Sequence, residues 1–442
     1  MNQAYYSGIA GVMTHQYGMD VVSDNLANVN TIGYKGSTAE FADLFSTVLS
    51  SAGGSTPTTN DIGVGSRLQA TTLQMQTGSL IGTDRFTDLA LRGDGWFGVA
   101  QGKDTYYTRA GNFVFDTYQG SAGDPNSSIS RLTTADGKYV LGAMAGNYAY
   151  NASFDYGDQQ TGAYLINDTA SQVTLGAAGS QGVLELPTRL AYPAEATTQA
   201  QFFGNIGGST GPLVLSADIV SPGSDINRLR LAFTKSAVQP SEGIAWDVVA
   251  TVTSNDGSVT YDTQTGQAVF DATGGLTSFG IPSVNNDGAT VTIDPGTAFS
   301  GLTSIEASPF TGSSSADGLI QGLLTKYGVN QNGDIVAEFS NGRYLPIGQV
   351  AVYHFQNNQG LERSGDSLFR ASANSGAPFF WTDPEGNPIS GATVYSGMLE
   401  NSNVRLDVGL TDMIIMQRAY QANAKSITTA DELIQKALTM RK

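Results

Sequence analysis

With 442 residues, the chain has room for about three domains of ordinary size and for buried cores in each. A net charge of −17 and a pI near 4.4 argue against binding nucleic acid or an anionic membrane surface, both of which need basic patches. Having no cysteine, the chain can form no disulfide, thiol nucleophile or thiolate metal site. Charged residues make up only 14% against the usual ~25%, and 54 residues are glycine, a composition that suits a turn-rich β protein. No run of about 18 apolar residues is present, so no transmembrane helix is expected. The N-terminus lacks the basic region and apolar core of a cleaved signal peptide. The chain is therefore expected either to stay in the cytoplasm or to leave by a route that needs no cleaved signal.

In chain order, residues 3–29 read as a helix. Ile9, Val12, Met19 and Leu26 form an apolar seam of period near 3.5, interrupted by Gln16. Residues 36–85 read as a linker or long loop, polar and Gly-rich over 50–66. Strands follow: Leu89–Arg92 and Trp96–Val99 around a Gly93-Asp94-Gly95 turn, then Tyr106–Phe115 and Lys138–Gly142. The segment 199–323 is richest in Ser, Thr, Gly and Asp. With its short alternating runs at 213–215 and 289–293, it reads as a separate β-domain inserted into the first. Strands resume at 335–339 and 348–355 around an Asn341-Gly342 turn. A second helix spans about 407–440. There Leu406, Met413, Tyr420, Ile427 and Ile434 recur every seven residues, with a mixed companion line four residues on: Leu410, Gln417, Ala424, Asp431 and Leu438. Lys436, Arg441 and Lys442 complement the dipole at its end. Neither terminal helix can bury its seam alone, so the two must pair with each other or with other copies.

Candidates for chemistry are few. The two histidines, His15 and His354, lack the acid or ligand neighbours of a triad or metal site. Gly93-x-Gly95-x-x-Gly98 matches the dinucleotide fingerprint only in letters, because no helix pattern follows Gly98. Glu362, Asp366, Asp383 and Glu385 define no paired-carboxylate geometry. Glycosylation-acceptor triplets begin at Asn126, Asn151 and Asn167, as chance allows in so Asn-, Ser- and Thr-rich a chain. No catalytic, cofactor-binding or metal-ligating residue is expected.

The stretch Asp20-Val21-Val22-Ser23-Asp24-Asn25-Leu26-Ala27-Asn28-Val29-Asn30-Thr31-Ile32-Gly33-Tyr34-Lys35 resembles the N-terminal signature of flagellar rod and hook axial proteins. Ser396-Gly397-Met398-Leu399-Glu400-Asn401-Ser402-Asn403-Val404, continuing through Met413–Lys425, resembles the C-terminal one. Tyr34 stands where the family usually has Phe, and Asp24 where a second Asn is common. Gly409 occupies an often acidic position, so the second helix is expected to start later or bend there. Asn28, Asn30, Thr31 and Gly33 are read as ending the first helix and turning the chain. Leu399, Glu400, Ser402 and Asn403 stand just before the second helix, where Ser402 or Asn403 is expected to cap it.

The resemblance implies a structural, non-enzymatic subunit of a helical polymer in the flagellar hook and basal body, outside the cell after export. Copies would stack with one another as a flexible, torque-transmitting tube. They would meet rod, hook-cap and hook–filament junction proteins, and reach the tube through type III export without inserting in a membrane. Residues 1–35 and 403–442 would then form a coiled-coil-like core, 86–198 plus 324–402 a discontinuous β-domain and 199–323 an outer β-domain. The fold class is mainly β, with two terminal helices and nested, discontinuous domains. A rod subunit of the same family is the nearest alternative, and a secreted β-rich adhesin or glycan-binding protein is the alternative of another class.

Overall fold

A computed structural model of the chain describes residues 3–44, 46–48, 61–117, 129–156, 161–169, 173–207 and 212–440. The Gly-rich run Ser50–Pro57, the Asn126 triplet, Arg441 and Lys442 lie outside them. The chain is mainly β with a helix at each end: α1 spans Gln3–Ala27 and α2 spans Leu406–Thr439. Neither helix is long and apolar enough to cross a membrane.

Among the described residues, sixteen strands between Trp96 and Arg370 form one sheet and ten strands between Gln199 and Ala316 form another. The second sheet shows how alternation selects its own face. Along Ile226–Lys235, Leu229, Leu231 and Phe233 are buried while Arg228 and Arg230 point to water. Its core gathers Phe202, Trp246, Val248 and Phe270 around that row. A distinct core fills the larger sheet, built from residues such as Leu89, Phe97, Phe113, Val140, Ile347 and Val352. Chain leaves and re-enters the larger sheet side by side. Glu195 and Leu319 exchange two backbone hydrogen bonds of 2.9 Å at that crossing.

The segment 36–85 is not the long loop expected from its polar composition. Ser37–Asp43 pairs antiparallel with Ser66–Leu73, and Leu80–Gly82 pairs with Met398–Glu400. These strands mix small, charged and apolar residues without a clean alternation, because the pair backs a helix rather than a deep core. Thr14 of α1 reaches this pair, its Oγ1 donating to Ser66 O at 2.8 Å. Gly93-Asp94-Gly95 is a turn, and Gly98 lies within the strand Trp96–Gln101.

Candidate assembly site at the meeting of the chain ends

The two helices run antiparallel against each other. A Cβ built on Gly8 would meet Ile427 Cγ1 at 2.7 Å, one on Gly11 would meet Asn423 Cγ at 2.6 Å, and one on Gly18 would meet Met416 Sδ at 3.0 Å. Leu26 lies opposite Gly409, 3.7 Å from where a Cβ there would stand. The buried face of α1 is thus Gly8, Gly11, Thr14, Gly18 and Val22. Small residues let the backbones approach closely, so α2 side chains fill the space that α1 leaves.

The expected α1 seam, Ile9, Val12, Met19 and Leu26, is half-buried beside that face rather than at its centre. On α2, Met413, Tyr420, Ile427 and Ile434 are half-buried, whereas Leu406 is 52% exposed. Their companions stand three residues on, not four: Gly409, Met416, Asn423 and Ala430 line the contact, with Gly409 and Ala430 buried. Leu410, Gln417, Asp431 and Leu438 of the expected companion line are exposed, and Ala424 is half-buried. A +3 line containing Gly and Asn has no hydrophobic signature, which hid it from a search for apolar repeats.

Beyond α1 the chain turns. Asn28 Nδ2 donates to Asp24 O at 2.9 Å and Thr31 Oγ1 donates to Asn28 Oδ1 at 3.1 Å, while Asn30 is exposed. Gly33 holds φ +66°, and any Cβ there would strike the backbone of Arg109 and Ala110. Its N–H donates to Glu400 O at 2.7 Å. Two residues later Lys35, fully buried, donates from Nζ to Glu400 Oε1 at 2.6 Å and to Gln76 O at 2.8 Å. Gly78 N also donates to Oε1, at 2.8 Å. On the other side of the carboxylate, Arg109 Nη1 lies 3.5 Å from Oε2, with all three side chains inaccessible to water. Arg109 is held in turn by Gly93 O at 2.8 Å and by the Trp96 ring, 5.5 Å from its Cζ. Burial pulls the pKa of both Lys35 and Arg109 down, and the Glu400 charge opposes it. One carboxylate therefore serves two buried cations, joining the end of α1, the larger sheet and the approach to α2.

Asn403 completes the junction without capping α2. Its Oδ1 accepts from Gly36 N at 2.8 Å and its Nδ2 donates to Gln74 O at 2.7 Å. Ser402 Oγ accepts from Val404 N at 3.2 Å. The cap position belongs to Arg405, whose side chain makes no capping bond, so neither Ser402 nor Asn403 has the expected role. Gly409 sits in the first turn of α2 and donates to Arg405 O at 2.9 Å, so the helix does not start beyond it. Leu399 pairs with Ile81 in the short sheet. The sequence reading missed Lys35 and Arg109 as functional residues. Arg109 carried a signal: a lone cation within an aromatic strand run facing a core.

Among the described residues, no group of three or more His, Asp and Glu is placed to hold a metal ion. What this site can do is mechanical: it locks two chain ends to a β scaffold at a fixed angle.

Comparison with known proteins points the same way. Residues 6–35 match the family described as flagella basal body rod protein. Residues 395–440 match the one described as flagellar basal body rod FlgEFG protein C-terminal. The chain is 30% identical to the flagellar hook protein FlgE of Borreliella burgdorferi, with 100% of both chains covered. It is 29% identical to the flagellar hook protein FlgE of Treponema pallidum, also over 100% of both. Against the flagellar basal-body rod protein FlgG of Bacillus subtilis, identity is 25% over 100% of both chains.

Proposed function

The chain belongs to the flagellar hook protein family, and on that premise we propose that it polymerises as the structural subunit of a bacterial flagellar hook. Copies stack into a flexible tube that passes torque from rod to filament. One observation carries this reading: the helix pair keeps apolar side chains in water while its base is locked to the β body. Ile414, Ile415, Leu433 and Leu438 of α2 are 59, 55, 64 and 65% exposed. Each such residue stabilises a contact by about 1.5–3 kcal/mol if buried completely, and a monomer leaves that unrealised. Other copies of the same chain are the partners that would cover them.

The same reading supplies the remaining roles. The subunit leaves the cell through the type III export apparatus and sits between rod, hook-cap and hook–filament junction proteins. Its work is structural, with no catalytic step. The two end motifs belong to this role, and a secreted adhesin would leave both unexplained.

The test is complementation. Cells lacking their own hook subunit should grow hooks, visible by electron microscopy, when they express this chain. Exported chain that stays monomeric, with no hook on any cell, would overturn the proposal.

A further inference from the structure

With no cysteine in the chain, its sulfur chemistry falls on methionine. We propose that Met416 is a reversible oxidation site: hydrogen peroxide reaches its sulfur through the cleft at the base of the helix pair and converts it to the sulfoxide, which loosens α2 from α1. The cleft, of about 570 Å³, opens between Val22 and Asn25 of α1, Ser37 and Thr38 of the first strand, and Val408 and Met416 of α2. Met416 is half-buried on its wall. The same side chain enters the notch over Gly18, where a Cβ would stand 3.0 Å from Met416 Sδ and 3.0 Å from Phe41 Cζ. One thioether therefore borders both a space that admits a small oxidant and the contact that joins the two chain ends.

In the step itself a sulfur lone pair attacks one peroxide oxygen and the O–O bond breaks. The proton on the transferred oxygen passes to the departing one, which leaves as water, so the sulfur is oxidised and the peroxide reduced. The product is a bulkier, polar side chain with a strong acceptor oxygen. On the notch side that oxygen finds no room, since even a single Cβ on Gly18 would crowd the sulfur. It finds no donor there either. The N–H groups in the middle of α1 are spent along the helix. Asn25, Gln74 and Asn403 beside the cleft already donate to Ser37 O, Thr38 Oγ1 and Gln74 O. A close apolar contact thus becomes an unsatisfied dipole, which drives the helices apart. Met13 and Met440 are 50 and 82% exposed and do not fill the notch, so their oxidation costs little. Met75 shares the cleft but packs against the cluster of Trp96, Phe355 and Phe369.

The consequence for assembly rests on the reading of the chain as a hook subunit, whereas the oxidation and the loosened helix pair do not. Purified full-length chain would be treated with hydrogen peroxide until Met13 and Met440 are fully oxidised, then digested and weighed. The peptide bearing Met416 should gain about 16 Da. The helical circular dichroism signal should fall. Addition of the treated subunit to the ends of isolated hooks of the same bacterium, counted by electron microscopy, should drop about tenfold. The two methionine sulfoxide reductases, one for each epimer, should restore both readouts. Met416→Leu should keep both after the same dose, whereas Met75→Leu should lose them as the unaltered chain does. A Met416 left unoxidised would overturn the site. Equal loss in Met416→Leu, or loss that the reductases do not reverse, would overturn its role. Untreated chain that adds to no hook would count against the hook reading, while the mass and dichroism readouts still decide the oxidation site.

Discussion

Lys35 Nζ and Glu400 Oε1 lie 2.6 Å apart although 365 positions separate them in the chain. The pair is sealed from water, and Arg109 adds a second cation to the same carboxylate. Buried pairs of this kind contribute little over an apolar substitute, but removing one partner is severe. Glu400→Gln should therefore destabilise the junction by about 3–5 kcal/mol, because two buried cations lose their counter-charge. Urea unfolding of the purified monomer checks this through the shift in midpoint. The double variant Lys35→Met, Glu400→Gln should cost less than the sum of the two single changes, since the pair shares one interaction.

The close approach of the helices makes a paired glycine test. Gly8→Val puts a branched side chain where Ile427 Cγ1 already lies 2.7 Å from the Cβ position. Overpacking of about 1–3 kcal/mol should part the helices and lower both the helical circular dichroism signal and the number of hooks. Gly409→Ala meets only Leu26, at 3.7 Å, and should be accommodated, with a gain of up to about 1 kcal/mol in helix propensity. Equal damage from the two changes would show that the packing across these glycines does not hold the pair together.

The crossing between the two sheets should respond to acid through Glu195. Its carboxylate accepts from the Tyr192 hydroxyl at 2.6 Å and pairs with Arg343. The Tyr192 hydrogen bond, more than any other contact, holds its pKa below the ordinary glutamate value. A carboxyl lowered on folding stabilises the fold above its unfolded pKa of about 4.3, and that stabilisation is lost as pH falls through the folded value. Glu195→Gln should therefore lower the urea midpoint at pH 7 and leave it nearly unchanged at strongly acidic pH. Because the group is partly exposed, the effect should be modest. A midpoint deficit that persists undiminished in strong acid would assign the loss to packing instead.

The ten-stranded sheet has its own core and meets the larger sheet's chain at the Glu195–Leu319 crossing. We expect deletion of residues 199–316, closed by a short Gly-Ser linker, to leave a folded, exported subunit that still assembles into hooks of altered stiffness. Near-UV circular dichroism and electron microscopy read the two parts of that expectation. A deletion variant that is stable and exported but forms no hooks would show that the outer sheet is needed for the tube itself.

Much of this architecture was legible in the residue order. Helical spacing of apolar residues placed both helices within a residue or two of their observed bounds, although the residues at the centre of their contact, Gly8, Gly11 and Gly18 on α1 and Gly409 on α2, carry no apolar signal. Alternation and Asx-Gly turns marked strands on either side of Gly93–Gly95 and Asn341-Gly342. The end motifs marked where the chain ends would meet. The strand pair Ser37–Asp43 with Ser66–Leu73 was not legible, since its partner is a helix surface and its residues need not be apolar.

Three things were decided only by the tertiary structure. The line of α2 that meets α1 includes Gly409 and Asn423, chosen by the shape left above Gly8, Gly11 and Gly18 rather than by hydrophobicity. The work of Asn403 was set by neighbours far off in sequence, with Gly36 and Gln74 taking the bonds that a local capping rule would have spent on α2. Lys35, Arg109 and Glu400 became one site only when the fold excluded water from all three, because a charge in solution needs no particular partner and a buried one does.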